Sequence, residues 1–417
     1  MPDDQGDGGR AALVAARSSY SRLVAYLAAR TGDVAAAEDA LSDAFHAALE
    51  VWPVRGIPDR PEAWLLTSAR RRLIDAERHR QVQRAASPTL TLLNEEAATQ
   101  ATAMSSFPDE RLKLLFICAH PAINQAARTP LMLQAVLGLD AARIASAFLV
   151  APGAMSQRLV RAKAKIRDAK IAFTVPEPAD LPDRLDAVLD AIYAAYGTGW
   201  EDAAGTDSRR RGLTEEALYL ARLVVELLPQ EAEAHGLLAL MLFCESRRAA
   251  RRTPDGAYVP LSDQAVALWS QPMIADARTA LASAATHGHL GRYQLEAAIQ
   301  SLHATRLEGE TPNWATIRDL YDGLVEISPT IGAQIGRAAA VAEADGPLIG
   351  LAALDGIDES QVRAYQPYWA LRGDLLARLD HHAEAAAALK TAIGLTEDQA
   401  IHAFLHSKSE RLTQQRR

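Results

Sequence analysis

The stretch Leu139–Lys170, LDAARIASAFLVAPGAMSQRLVRAKAKIRDAK, constrains the fold more tightly than any other part of this chain. Ile144 and Phe148, four residues apart, give a first helix its apolar side, and Ala145 is small enough for a close helix crossing. Val150-Ala151-Pro152-Gly153 breaks that periodicity. Pro152 suits a first helical turn, where its missing N–H would have had no partner. Met155, Leu159, Ala162 and Ile166 then recur at spacings of four, three and four, the stripe of a 3.6-residue helix. The opposite side carries Gln157, Arg158, Arg161 and Lys165. This reads as a helix-turn-helix whose second helix offers amide and guanidinium groups to base edges and phosphates in a major groove. The plainer alternative is a surface helix with solvated charge.

Helix formers dominate elsewhere and alternating β-branched runs are nearly absent, so an all-α chain is expected. At 417 residues and 49% apolar, it can build two or three cores. No run of eighteen apolar residues occurs, and Met1–Arg10 is acidic and glycine-rich, unlike a signal peptide. A soluble cytoplasmic protein with no membrane association is the expectation. Cys118 and Cys244 stand far apart and in no CxxC pattern, which argues against a disulfide framework or a structural zinc site. Charge is uneven along the chain. Residues 1–170 hold 22 Lys+Arg and 18 Asp+Glu, net +4, whereas 171–417 hold 22 and 34, net −12. A nucleic-acid-facing front and a protein-facing rear fit that asymmetry.

Four segments follow from the punctuation: a helical block 1–84, a linker 85–109 rich in Ala, Ser and Thr, a block 110–172 ending in the helix-turn-helix, and 173–417. Three prolines in Thr174–Pro182 mark the last boundary. The rear segment contains degenerate helical repeats. Trp369, Gly373, Ala385 and Ala392 fall at tetratricopeptide spacing, with Leu376 and Leu389 in place of the usual aromatics. Ala217–Pro229 and Ile317–Pro329 end in proline at the offset of a second repeat helix. An ordinary helical bundle is the alternative.

In the front block, Asp33–Trp52 is a helix with Ala37, Ala40, Leu41, Ala44, Phe45, Ala48, Leu49 and Trp52 along its buried side. Glu38, Asp39 and Asp43 project elsewhere as an acidic cluster. The loop Pro53–Arg60 leads to a second helix opened by Pro61. There Leu66, Ala69 and Leu73 point one way, while Trp64, Arg71, Arg72, Arg78 and His79, with Asp75 among them, lie broadly on the other. An aromatic among arginines suits opened DNA, through stacking and phosphate attraction. No constellation for catalysis is present, and the eleven histidines are scattered. No catalytic residue, metal site or cofactor is expected, and the chain is not read as an enzyme.

The order of these parts resembles the sigma factors of bacterial RNA polymerase, specifically the extracytoplasmic-function (ECF) type with two sigma domains. AEDALSDAFHAALEVW (37–52), AWLLTSARRRLIDAERHR (63–80) and the helix-turn-helix carry that resemblance. FICAHPAI (116–123), GRYQLEAAIQSLHA (291–304) and VAEADGPLIGLAALD (341–355) resemble the subgroup with a long tetratricopeptide-like (TPR-like) extension. The resemblance implies sigma region 2 at 1–84, sigma region 4 at 110–172 and a TPR-like regulatory domain at 173–417. It implies docking of Glu38, Asp39 and Asp43 on the β′ clamp coiled coil of core RNA polymerase, with the β flap as a further contact. Trp52 and Arg55, in a loop that captures a flipped base, would recognise the promoter −10 element with Trp64, Arg71, Arg72, Asp75, Arg78 and His79. Ser156, Gln157, Arg158, Arg161 and Lys165 would read the −35 duplex. Three positions depart from the family. Ser42 stands where the docking helix often has Gln, Ala119 replaces a second cysteine of the subgroup, and Tyr196–Trp200 replaces Asn-Glu-Gly-Tyr.

The function expected is therefore promoter-directed initiation on the bacterial nucleoid, with promoter DNA and core polymerase as partners and the rear domain acting in cis. Deleting 176–417 would separate inhibition from support. That rear domain is also open to a further protein partner. A helical-repeat adaptor with no DNA role is the alternative.

Overall fold

Asp33 opens the helix that organises the front of the chain: its carboxylate accepts a hydrogen bond from the Ala36 amide at 3.1 Å, capping the first turn. The structure, a computed structural model, describes residues 19–84, 110–148, 150–177, 179–200, 213–288 and 290–415. The linker expected at 85–109 lies outside the described residues. Helix α1 spans 19–31, and α2, Val34–Arg55, buries Val34, Ala37, Ala40, Leu41, Ala44, Ala48 and Trp52. Gly56, at φ +84°, ends α2, and Pro61 begins α3, Pro61–Arg84, which packs on α2. All the regular elements described are helices, and the fold class is all-α.

After the linker come α4 (Arg111–Cys118), α5 (Gln125–Leu137), α6 (Ala141–Ala147) and α7 (Pro152–Asp168). Helix α5 stops at Gly138, whose left-handed φ of +69° lets its N–H and that of Leu139 donate to the Gln134 and Leu133 carbonyls. A Cβ at Gly138 would also stand 3.0 Å from the Tyr20 ring of α1. Helix α7 begins with Pro152 at its first turn and buries Met155, Leu159, Ala162 and Ile166, the stripe expected from its spacing. Helix α8, Leu181–Trp200, then lies against α4 and α5: the Thr129 hydroxyl donates to the Ala191 carbonyl at 3.1 Å, and Arg184 donates to the Phe116 carbonyl at 2.9 Å. Contacts divide the chain into one unit of 1–199 with 208–217 and a second of 200–207 with 218–417.

The second unit is built from helices, most of which pack on the next helix or the next but one in chain order. These are α9 (Leu213–Leu227, beginning in the first unit), α10 (Ala232–Ser246), α11 (Gln271–Thr286), α12 (Arg292–Ala304), α13 (Trp314–Ile327) and α14 (Ile331–Ala344). They continue as α15 (Pro347–Asp355), the single turn α16 (Glu359–Val362), α17 (Gln366–Arg378), α18 (His382–Gly394) and α19 (Gln399–Gln415). The core is a series of patches, each shared by consecutive helices: Ile299, Ile317 and Leu324, then Ala338, Leu354 and Leu375, then Leu376, Leu389 and Leu405. In the α17–α18 hairpin a Cβ at Gly373 would fall 2.7 Å from Leu389, so only glycine permits this crossing, and a larger residue there would cost about 1–3 kcal/mol. Residues 247–270 hold short 3-10 turns and an antiparallel bridge between Arg252 and Tyr258, anchored by Arg306, which donates to the Leu261, Ser262 and Gln264 carbonyls. Sequence periodicity gave no sign of that segment. Among the described residues, no helix is long and apolar enough to cross a membrane.

Candidate functional site

The first unit carries two polar faces. The first lies on α2, α3 and the turn between them. Trp52 is 2% exposed, so the structure places it in the core, where its ring meets that of Trp64 edge to face at 5.6 Å. Trp64 is half-buried and reaches the surface beside the turn. Arg55 is exposed at the end of α2, flanked by two exposed apolar side chains, Val54 and Ile57. Arg71, Arg72, Asp75 and Arg78 are all exposed on α3. Arg72 faces Asp43 of α2 at 3.8 Å, and Arg78 faces Asp75 at 3.9 Å. The side chain of His79 lies outside the described residues.

Arg70, the first of the arginine run, behaves differently. Its guanidinium donates to the Tyr26 hydroxyl and lies over the Tyr26 ring at 5.0 Å, with Arg30 at 3.5 Å over the same ring. It ties α3 to α1 and leaves the outward charge to its neighbours. Of the three carboxylates expected to act together, Asp39 and Asp43 are exposed. Glu38 is not. It is turned toward α7, where its Oε2 accepts from Lys163 Nζ at 2.5 Å.

The second face is on α7. Ser156, Gln157, Arg161 and Lys165 are exposed, and Arg158 is half-buried, donating to the Ala126 carbonyl at 3.3 Å. Arg158, Arg161 and Lys165 line a cleft of about 460 Å³ between α7 and the amino end of α5, with Asn124 and Ala126 on its other wall. Among the described residues no carboxylate lines it, and the amino end of a helix adds partial positive charge, so the cleft favours an anion. Val160, 65% exposed, lies away from the cleft, one and two helical turns before Lys163 and Arg167.

Among the described residues no group of three His, Cys, Asp or Glu side chains is placed to hold a metal ion. Cys118 is fully buried, and that burial pushes its thiol well above its ordinary pKa. His120 is held in a turn, its Nδ1 accepting from the Ala122 amide at 3.1 Å, and burial draws its pKa down.

Sequence reasoning missed the residues that join the two faces: Tyr20, Asp33, Lys163 and Arg167. Lys163 and Arg167 are one helical turn apart on the flank of α7 away from Arg158 and Lys165. That spacing separates them from the other cations, but a helix taken alone does not show what they meet.

Residues 16–83 match sigma-70 region 2, and residues 184–285 match a family of unknown function. The chain is 36% identical over 406 residues to an uncharacterized protein of Rhizobium meliloti (strain 1021), covering 96% of this chain and 95% of that one. No solved structure matches.

Proposed function

This chain belongs to the sigma-70 family, and we propose that it is a sigma factor of the extracytoplasmic-function type with a TPR-like helical extension. In this reading it binds core RNA polymerase, directs it to a small set of promoters on the nucleoid, and carries no chemistry of its own. The observation that carries the reading is the face shared by α2 and α3. Asp39 and Asp43 are exposed on α2 and Arg71, Arg72 and Arg78 on α3, the two helices meeting where Arg72 faces Asp43, and Trp64 is half-buried near the turn. Carboxylates suit a basic polymerase surface. The arginines suit phosphates of a strand being opened, and a ring at the rim suits stacking of an unpaired base.

The roles follow from exposure. Asp39 and Asp43 would dock on the β′ clamp coiled coil, and the polymerase contact would extend to the β flap. Arg55, Trp64, Arg71, Arg72, Asp75, Arg78 and His79 would engage the −10 element. Trp52 would act from behind, as the buried support that fixes Trp64. Helix α6 and helix α7 would form the helix-turn-helix, with Ser156, Gln157, Arg158, Arg161 and Lys165 on the −35 duplex. The second unit, rich in acidic residues, would modulate activity in cis and accept any further protein partner. The test is run-off transcription from a selected promoter by core polymerase with the purified chain. The triple change Arg71→Ala/Arg72→Ala/Arg78→Ala should abolish initiation, because it removes three phosphate contacts from the opened strand. Initiation that survives the triple change would remove α3 from −10 recognition.

A further inference from the structure

The acidic amino end of α2 is occupied by the chain itself. Lys163 and Glu38, 125 residues apart in sequence, form an ion pair whose side chains are only 13% and 11% exposed. Beside them Arg167 approaches Asp33 at 4.0 Å, and the Asp33 side chain is 14% exposed. The surroundings are dry: Tyr20, Cys118 and Glu38 crowd together at the seam, and burial pushes the Glu38 carboxyl above its ordinary range while Lys163 opposes the shift. Among the described residues, the second oxygen of Glu38 is buried with no hydrogen-bond partner. Lys163 supplies the compensation that such a carboxylate needs. Removing one member of such a pair costs far more than the pair itself contributes.

The two flanks of α7 are thus used differently. Arg158, Arg161 and Lys165 face the open cleft, while Lys163 and Arg167 face the carboxylates of α2. We propose that the Lys163–Arg167 flank of α7 is the resting occupant of the amino end of α2, so that core polymerase must displace it to engage Glu38. This rests on the reading of α2 as the polymerase-docking helix. In the resting chain Glu38 is withheld and the DNA-reading helix is held against region 2. Polymerase binding frees both at once, since one contact closes them. The device needs no second protein, because the competing surface is built into the same chain.

The test uses the full chain with spin labels at Glu50→Cys and Ala169→Cys, both exposed positions, in a Cys118→Ala/Cys244→Ser background, because Cys118 lies at the seam that opening would expose. In the free chain the distance distribution should be dominated by a narrow short component. Lys163→Ala and Glu38→Lys should each lengthen and broaden it. The exchanged pair Glu38→Lys/Lys163→Glu should restore the narrow distribution, which a general folding defect would not do. Adding core polymerase to the otherwise wild-type labelled chain should give the open distribution. Without labels, Lys163→Ala should bind core polymerase about fivefold tighter in the absence of DNA, the gain expected when a closed fraction of about four-fifths is released.

A distribution unchanged by both single substitutions would overturn the latch. Opening by Lys163→Ala with no gain in polymerase affinity would overturn the competition, leaving only a structural contact. Should the full chain and Lys163→Ala both fail to bind polymerase, the docking reading and the competition fall together, while the distances still decide whether the resting contact exists.

Discussion

Glu38 and Asp39 lie about 100° apart around α2, and that rotation decides what each can do. Glu38 faces α7 and is neutralised by Lys163, whereas Asp39 faces solvent with Asp43. An acidic cluster in sequence is thus divided between an internal contact and an outward surface. His303 shows a different use of burial. The half-buried ring packs edge to face on Trp314 at 5.4 Å, and burial, helped by Arg247 and Arg306, draws its pKa down to about 4. The unfolded chain takes up a proton there near pH 6.5, and the folded chain does so only near pH 4. The second unit should therefore lose stability as pH falls through that window, with the full contribution present above it. Urea unfolding at pH 7 and pH 4.5 checks this. His303→Gln should flatten the difference between the two pH values by about 2 kcal/mol. Equal slopes for the two proteins would show that the ring titrates normally.

At the scale of elements, α2, α3 and α7 were legible because each carries its own periodicity. The stripe Met155, Leu159, Ala162 and Ile166 is local information, and the structure buries those four residues. Gly373 was legible for a similar reason, since a small residue at a helix crossing leaves a spacing that can be counted. The partner of Lys163 was not legible, because it lies across the linker in another helix. Nor was the depth of Trp52, which depends on how α3 returns over α2. The segment 247–270 escaped because carbonyls held by one distant arginine leave no periodic trace.

Helix α8 makes the cost of such non-local packing measurable. The prolines before it suggested a boundary near residue 173, yet Leu185, Val188, Leu189 and Ile192 are buried and its backbone is tied to Thr129. A fragment ending at 175 should be at least about 5 kcal/mol less stable than one ending at 217, since four large side chains lose their burial. Thermal unfolding of the two fragments reads this directly. Equal melting temperatures would show that α8 adds nothing to the first unit.

For the whole molecule, the uneven charge is the property that most shapes behaviour. A front of +4 and a rear of −12 favour a DNA contact on one part and disfavour it on the other. The second unit divides its core into patches, each shared by consecutive helices. The first unit concentrates the polymerase and promoter contacts proposed here on three helices. Their exposed residues were mostly named by sequence, while the contact that holds them closed came only from the fold. The central claim is that α2 docks on core RNA polymerase through Asp39 and Asp43. It is tested most directly by equilibrium binding of the full chain to purified core polymerase, beside Asp39→Ala/Asp43→Ala. The account predicts tight binding by the full chain and a loss of about tenfold or more in the double variant, as for the removal of two charge contacts of roughly 1 kcal/mol each. Equal affinity of the two proteins, or no binding by either, would contradict it.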